Sequence, residues 1–380
     1  MTLTILHRAR LIIEKADKGG AVWLPVRAVL LLCSWIYGAG VLARRSLYLH
    51  VPGFRRQVRA YVVSVGNITV GGAGKTPTVE MCARLWLRNG KKVAIVSRGY
   101  GKAKLSERQT VPPGGIRIVS DGRGHILLSS DEAGDEPYLL AKRLPDAVVL
   151  VSSDRVAACE FAVRQFGAEV IILDDAFQHL RLYRDEDVVA IDATNPFGNG
   201  HLLPRGILRE PLSSLRRATR ILITKRLPAN ARSGSAGTET DTDRGNLKAT
   251  LQRVAPGVPV SWTRYVPTHL SVPSGEETLP LSYLRDKKVA VFCGIADPDF
   301  FERTLTNLGA HILLMKRFPD HQSYTLSDIV SIDKDACENN ADAIVTTEKD
   351  LVRLPHDILT RCPLYAVAVE INIDDEPAAN

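Results

Sequence analysis

The fold is decided by residues 61–76, which read YVVSVGNITVGGAGKT. A run of mostly β-branched residues at 61–65 is followed by a glycine-rich turn, and residues 78–88 are typical of a helix. Backbone N–H groups can converge on an anion only where no Cβ intrudes, which explains the glycines within 71–74. The dipole of the following helix adds to the attraction. The stretch therefore predicts a loop that binds the phosphates of a nucleotide.

Lys75 and Thr76 complete this loop. We expect Lys75 to reach the β- and γ-phosphates and the Thr76 hydroxyl to ligate Mg²⁺. The usual pattern, G-x-x-x-x-G-K-S/T, has glycine where this chain has Thr69, although other glycines lie close by. The predicted nucleotide-binding residues are Thr69, Gly71, Gly72, Ala73, Gly74, Lys75 and Thr76.

Apolar runs recur between helical segments as far as residue 225. They consist largely of Val, Ile and Leu and lie at 91–97, 147–154, 168–175, 187–194 and 219–225. Continuous apolar strands that alternate with helices indicate a mainly parallel sheet covered on both faces. The predicted fold is an α/β, doubly wound, P-loop NTPase-like domain.

Composition divides the chain into four parts. Residues 1–58 form a basic and apolar helical segment, and residues 59–258 form the phosphate-loop domain. Within that domain, residues 228–247 are polar and rich in Gly, Ser and Thr, and we expect a mobile loop. Residues 259–275 are predicted to be an extended linker. A strand–helix–strand pattern then restarts, so residues 276–380 are predicted to form a second, smaller α/β domain.

Two neighbouring carboxylates, Asp174 and Asp175, end the apolar run VIILDD. A carboxylate at the carboxyl end of a parallel strand lies beside the phosphate loop and can hold Mg²⁺. The alternative is an aspartate that serves only the turn after the strand. The doubled aspartate favours a magnesium site.

The preference for one nucleotide base depends on Thr224 and Lys225, at the end of another predicted strand. They resemble the guanine-reading motif N/T-K-x-D only in part, because Leu227 stands where that motif has its aspartate. Without this carboxylate, guanine loses the acceptor for its N–H groups. We therefore expect ATP rather than GTP.

Transfer of a phosphoryl group to an alcohol needs a group that orients the hydroxyl or accepts its proton, usually a carboxylate or a histidine. Asp135, at the predicted start of a helix, and the pair Asp320-His321 of the second domain are the candidates. An Asp–His pair drawn from two domains could be assembled by closure of a cleft. The bland alternatives are a helix N-cap for Asp135 and a loop position for His321.

Positive charge is concentrated at the N-terminus. The chain carries 49 basic and 42 acidic residues, yet residues 1–60 alone hold ten basic and two acidic ones, so the remainder has a net charge of −1. A nucleic-acid-binding protein usually spreads basic charge over its folded domain, so no nucleic-acid partner is expected. Six scattered cysteines without a C-x-x-C pair argue against a disulfide scaffold or a zinc ribbon.

The apolar run at 28–42, AVLLLCSWIYGAGVL, is flanked by arginines. It is shorter than the ~20 residues that span a bilayer. Trp35 and Tyr37 would suit headgroup depth, and the arginines would suit anionic lipid. We expect a helix that lies in the membrane interface, with a buried core helix and a spanning helix as the alternatives. Such a helix beside a catalytic domain would suit a lipid substrate.

Seven motifs occur in an order that resembles the tetraacyldisaccharide 4'-kinase family, the lipid A 4'-kinases of Gram-negative bacteria. The motifs are VGNITVGGAGKTP (65–77), SRGYG (97–101), GDEP (134–137), VIILDDAFQH (170–179), LLPRGILREP (202–211), FPDH (318–321) and TTEKD (346–350). The resemblance implies transfer of the ATP γ-phosphate to the 4'-hydroxyl of an acylated glucosamine disaccharide 1-phosphate. It also implies a peripheral or monotopic location on the cytoplasmic face of the inner membrane.

The resemblance also implies roles for individual residues. Lys75 and Thr76 match the groups that bind ATP phosphates and Mg²⁺, and Asp174 and Asp175 match the acidic pair near the metal. Asp135 matches the proposed catalytic base. The other matching residues are His321, which would raise the basicity of that base; Arg209 and Glu210, near the transferring phosphate and the metal; and His179, whose role is open.

Two rival functions share the phosphate loop and the magnesium aspartates. One is a membrane-associated P-loop NTPase that acts as a switch on a protein partner, and the other is a cytosolic small-molecule kinase. Dependence on a sugar hydroxyl distinguishes a kinase from a switch. No obligate protein partner is evident from the sequence.

Overall fold

The computed structural model describes residues 21–99, 115–226, 241–273, 277–320, 322–355 and 358–374. His321, a candidate for the catalytic pair, lies outside the described residues, as does the larger part of the predicted mobile loop, residues 227–240. Tyr100 and Gly101 of the SRGYG motif also lie outside them.

Nine α-helices occur among the described residues. Their bounds are α1 Leu24–His50, α2 Lys75–Arg88, α3 Ser130–Ala133, α4 Asp135–Arg143, α5 Arg155–Phe166, α6 Asp241–Val254, α7 Pro298–Asn307, α8 Leu326–Glu338 and α9 Glu348–Leu351. Helix α1, 27 residues long, is long and apolar enough to cross a membrane by length and composition.

The strands join into a single thirteen-stranded sheet. They are β1 Tyr61–Gly66, β2 Val93–Ser97, β3 Arg117–Asp121, β4 Val148–Val151, β5 Val170–Leu173, β6 Glu186–Asp192, β7 Arg220–Arg226, β8 Val260–Ser271, β9 Thr278–Leu279, β10 Lys288–Cys293, β11 His311–Arg317, β12 Ala343–Thr347 and β13 Leu364–Asp374. The order is β11-β10-β12-β13-β8-β7-β6-β1-β5-β2-β4-β3, and β9 pairs with β8.

The first block of the sheet, β1 to β7, is mainly parallel and doubly covered. Every residue of β2, β4 and β5 is buried, as their Val- and Ile-rich sequences predict. Helices α2 and α4 contribute to the apolar cluster on one face, and α5 contributes to the cluster on the other. The prediction of a doubly wound α/β fold is confirmed.

The second block of the sheet comprises β10 to β13 and the helices between them, and strands β8 and β13 place it opposite the first. They are antiparallel and unusually long, with 12 and 11 residues. Strand β7 pairs with the first part of β8, and this pairing ends at Arg264. Strand β12 pairs with the first part of β13, and that pairing ends at the level of Leu270 in β8. Since β10, β11 and β12 run parallel to β13, the carboxyl edges of the two blocks face each other across about 20 Å of β8.

Two predicted segments contain regular secondary structure. Within the predicted extended linker, 259–275, residues Val260–Ser271 form β8, an internal strand of the sheet. The end of the predicted mobile loop is helical, because α6 begins at Asp241. The chosen domain boundaries remain a prediction.

Candidate active site

The phosphate loop joins β1 to α2 at the carboxyl edge of the first block. Gly71 and Gly74 adopt positive φ angles of 121° and 76°, which favour glycine. A Cβ on Gly74 would collide with the Tyr265 hydroxyl of β8. The Thr224 hydroxyl donates a hydrogen bond to the carbonyl of Ala73 at 2.9 Å. Strands β7 and β8 therefore brace the loop, and Thr224 serves as a brace rather than as part of a base-reading motif.

Thr69 stands where the usual pattern has its first glycine, and here its backbone pairs with a neighbouring segment. It forms an isolated antiparallel bridge with Leu208 and is buried. The backbone N–H of Arg209 donates to the carbonyl of Ile68 at 2.7 Å. This pairing does not need a positive φ, and it brings residues 208–211, the LREP motif at the end of LLPRGILREP, against the phosphate loop.

Asp175 is the centre of a cluster of opposite charges. Its carboxylate accepts hydrogen bonds from Nη1 of Arg209 at 3.0 and 3.1 Å and lies 3.7 Å from Nζ of Lys75. Burial acts to raise the pKa of Asp175, but Lys75 and Arg209 outweigh burial and hold this pKa below its usual value. Buried Arg155 donates to the Asp175 carbonyl at 3.0 Å. The structure thus brings together three of the predicted site residues.

Asp174 ends β5 in a more enclosed position. Its Oδ2 accepts a hydrogen bond from the Ser97 hydroxyl at 3.0 Å, whereas its buried Oδ1 has no hydrogen-bond partner among the described residues. Burial, reinforced by the charges of Glu136 and Asp175, raises the pKa of Asp174 to about 7. A buried carboxylate oxygen without a donor is suited to a cation. With Asp175 and the hydroxyl of Thr76, it would supply the hard oxygen ligands that Mg²⁺ prefers.

Glu210, the remaining predicted metal residue, is committed to an ion pair. Both of its carboxylate oxygens accept hydrogen bonds from Arg217, at 2.8 and 3.2 Å. Arg217 in turn packs over the ring of Phe177, 4.2 Å from the centroid. The glutamate therefore anchors the LREP motif to the loop that follows Asp175.

Asp135 lies at the first turn of α4, where the second block reaches it. Arg353 donates from Nε to the carboxylate of Asp135 at 2.6 Å and from Nη1 to Asp350 at 3.3 Å and to the Gly294 carbonyl at 3.0 Å. Asp350 is fully buried and also accepts from the Tyr324 hydroxyl at 3.0 Å. The TTEKD motif, which contains Asp350, is thereby connected to the candidate base.

A second contact crosses the cleft between the two facing carboxyl edges of the sheet. Lys349 Nζ lies 3.5 Å from Glu136 of α4 and 3.6 Å from Asp320. A Cβ on Gly72 of the phosphate loop would lie 3.2 Å from the Cβ of Ala296, which follows β10. The segment that carries Asp320 is therefore within reach of α4.

His179, half-buried, lies four residues after Asp175. Burial, together with the charges of Arg155 and Arg184, lowers the pKa of His179 to about 4, so the ring is neutral at neutral pH. Its Nε2 is buried without a hydrogen-bond partner among the described residues. Arg184 holds the backbone here by donating to the His179 carbonyl at 3.2 Å.

Helix α1 rests on the LLPRGILREP segment. The hydroxyl of Ser34 donates to the Leu202 carbonyl at 2.8 Å, and a Cβ on Gly38 would lie 2.7 Å from Leu202. The Tyr37 hydroxyl donates to the Arg209 carbonyl at 2.9 Å. The opposite side of α1 exposes large apolar side chains, including Trp35 and Ile36. The helix therefore supports the active site with one face and presents an apolar surface with the other.

Sequence reasoning missed three buried or half-buried residues that shape the site: Arg155, Tyr265 and Arg353. Arg155 follows Asp154, which caps α5 three residues after the end of β4, and this strand–cap–helix pattern can be recognised in the sequence. Arg353 lies only three residues after TTEKD, but nothing local indicated that it pairs with Asp135.

Comparison with known proteins agrees with these features. The family model described as "Tetraacyldisaccharide-1-P 4'-kinase" matches residues 26–380. A tetraacyldisaccharide 4'-kinase of Syntrophus aciditrophicus (strain SB) is 38% identical over 351 residues, which cover 92% of this chain and 90% of the relative. The enzyme of that name from Anaeromyxobacter dehalogenans (strain 2CP-C) is 42% identical over 340 residues, or 89% of this chain and 84% of the relative.

A solved structure is similar over almost the whole chain. It is the crystal structure of an Aquifex aeolicus protein, LpxK, in complex with ATP. The two chains are 29% identical and superpose with a TM-score of 0.69, covering 92% of this chain and 96% of the other. With the family model spanning both sheet blocks and the cleft between them, this chain belongs to the tetraacyldisaccharide-1-P 4'-kinase family.

Proposed function

We propose that this chain transfers the γ-phosphate of ATP to the 4'-hydroxyl of a tetraacylated glucosamine disaccharide 1-phosphate, a step of lipid A synthesis. The observation that carries the proposal is the pair of facing carboxyl edges. The edge of the first block presents the cluster of Lys75, Asp175 and Arg209. The second block contacts Asp135 of the first block through Arg353. The family membership supports a kinase over a nucleotide-driven switch.

The phosphate side of the cleft would bind and orient the nucleotide. The N–H groups of residues 71–76 would bind phosphate oxygens, and Lys75 and Arg209 would neutralise charge on the transferring group. Thr76, Asp174 and Asp175 would hold Mg²⁺, which supplies further charge neutralisation when it is bound. Glu210, fixed by Arg217, would add negative charge close to the metal.

The acceptor side would position the sugar. Asp135 would orient the 4'-hydroxyl and accept its proton as the new P–O bond forms. Arg353 fixes the carboxylate of Asp135 from behind, so this residue acts through Asp135. We also propose that His321 approaches Asp135, since its neighbour Asp320 is tied to α4 through Lys349.

The lipid substrate would be met at a membrane surface, on the cytoplasmic face of the inner membrane. Helix α1 is held against the rest of the protein at several points along its length. Ser34 donates to the Leu202 carbonyl, and Arg45 donates to the Ser214 hydroxyl at 3.3 Å. A helix held in this way would lie in the interface and insert its exposed apolar face into one leaflet. Trp35 and Ile36, each 66% exposed, would enter the lipid.

A transfer assay tests the proposal. The purified full-length chain is incubated in mixed micelles with Mg²⁺, γ-³²P-ATP and the acylated disaccharide 1-phosphate, or with its 4'-deoxy analogue as the matched control. We expect a labelled glycolipid only when the 4'-hydroxyl is present. Release of labelled inorganic phosphate without a labelled lipid would refute the kinase assignment, and equal labelling of the 4'-deoxy analogue would refute the site of transfer.

A further inference from the structure

Three potential metal ligands meet in the second block, outside the ATP cleft. Asp333 and Cys337 lie four residues apart on one face of α8, and Cys362 lies in the segment that leads into β13. One ligand atom from each residue lies within 4.8 Å of the others, and the two sulfur atoms are 3.5 Å apart. Asp333 and Cys362 are buried, and Cys337 is half-buried.

The carboxylate of Asp333 is already oriented. Its Oδ1 accepts hydrogen bonds from the backbone N–H groups of Arg361 and Cys362, at 3.0 and 3.1 Å. Oδ2 lies 3.9 Å from the guanidinium of Arg361, whose side chain is 80% exposed and can move aside. Backbone donors that fix a ligating carboxylate are typical of the groups that surround a metal site.

We propose that Asp333, Cys337 and Cys362 form a binding site for one thiophilic divalent cation, of which Zn²⁺ is the representative. Two sulfurs that each lie ~2.3 Å from a tetrahedral zinc are about 3.8 Å apart, close to the separation found here. Thiolates select zinc over the hard cations that suit a set of oxygen ligands. As the two Zn–S bonds form, each thiol releases its proton to solvent, and water completes the fourth position.

The site would have a structural effect. The cation would cross-link α8, which packs on β10, to the chain just before β13. It would thereby stabilise the block that supplies Arg353 and Asp350 to the cleft. Because metal binds the folded arrangement and only weakly to the unfolded chain, the fold should be more stable when the site is filled. This inference does not depend on the proposed function.

Metal titration of the reduced, full-length chain tests the proposal. Excess Mg²⁺ is kept present to occupy oxygen sites, Cd²⁺ is followed by thiolate-to-metal charge-transfer absorption, and Zn²⁺ by equilibrium dialysis. We expect one equivalent per chain for the unaltered protein. Cys337→Ser should weaken binding by roughly 100-fold or more. Cys33→Ser, at an exposed thiol of α1, is the matched control and should bind normally.

Further variants guard against loss of folding. Cys362 is buried and its replacement can unfold the chain, so Asp333→Asn and half-buried Cys337→Ser carry the test, each checked by circular dichroism. Zn²⁺ should raise the Tm of the unaltered protein and leave that of Cys337→Ser unchanged. The proposal is overturned if no cation binds, if Cys337→Ser binds undiminished, or if peptide mapping finds Cys337 and Cys362 joined in a disulfide that alone accounts for their proximity.

Discussion

Replacing Arg353 with lysine tests whether the second sheet block controls the acceptor side of the cleft. The side chain of Arg353 is 4% exposed, and its fork contacts Asp135, Asp350 and the Gly294 carbonyl at once. Lysine keeps the positive charge but lacks the planar fork, so it cannot hold both carboxylates in this geometry.

The expected effect follows from these contacts. A charge-assisted hydrogen bond is worth about 1.5–3 kcal/mol, and the 2.6 Å contact between Arg353 and Asp135 is of this kind. If that free energy serves to orient Asp135 in the transition state, kcat should fall by about 10- to 100-fold. The KM for ATP should not change, because Arg353 binds Asp135, Asp350 and the Gly294 carbonyl on the acceptor side of the cleft. Arg353→Ala should instead destabilise the fold by about 3–5 kcal/mol, since it leaves Asp350 buried without its cation.

Steady-state transfer kinetics and urea unfolding measure the two effects separately. Arg317→Lys is the matched control, because Arg317 is 49% exposed and pairs with Asp299 and Glu302 at the surface. Its unfolding free energy should change by less than ~1 kcal/mol, and its kcat should not change. A wild-type kcat for Arg353→Lys, or a loss confined to stability, would refute the positioning role.

Other perturbations probe Asp174, His179 and α1. The raised pKa of Asp174, about 7, means that its ionisation destabilises the metal-free fold as pH rises from about 4 to 7. In EDTA, the Tm of Asp174→Asn should therefore be higher than that of the unaltered protein at pH 8 and equal to it near pH 4. The variant should also lose transfer activity. A lower Tm for Asp174→Asn at pH 8 would contradict this reasoning. The His179 ring should titrate by NMR with a midpoint near 4, and a midpoint near its usual 6.5 would show that the ring is not buried among cations. Trp35→Ser combined with Ile36→Ser should weaken binding to anionic vesicles at least about tenfold with an unchanged Tm, whereas unaltered binding would exclude lipid insertion of this face.

The parts of the site that could be predicted from sequence are local. The phosphate loop is a strand, a glycine turn and a helix in immediate succession, and Asp174 and Asp175 directly follow the buried strand β5. The periodicity of apolar residues and the glycine and polar residues of the turns are enough to recognise such units. The order of the motifs then carried the family resemblance, which supplied Asp135 and Arg209 where spacing alone left alternatives open.

The parts that could not be predicted depend on distant pairing. Residues 260–271 contain Pro267 and polar residues and resemble a connector, yet they form an internal strand because Leu270 pairs with Val367, almost a hundred residues later. Arg353 and Asp135 are separated by 218 positions, so no local pattern reveals their ion pair. Thr69 departs from the usual phosphate-loop pattern, and this departure is explained by its bridge to Leu208, which is also distant in sequence.

The central claim is that ATP and the sugar hydroxyl meet between the Lys75 loop and Asp135. Rapid-quench single-turnover labelling of the lipid, combined with measurement of ATP affinity, tests it most directly for Lys75→Met and Asp135→Asn. We predict that Lys75→Met loses both nucleotide binding and transfer. Asp135→Asn should bind ATP normally and transfer at least about 100-fold more slowly. Transfer by Asp135→Asn at the wild-type rate, or unimpaired ATP binding and transfer by Lys75→Met, would contradict the account.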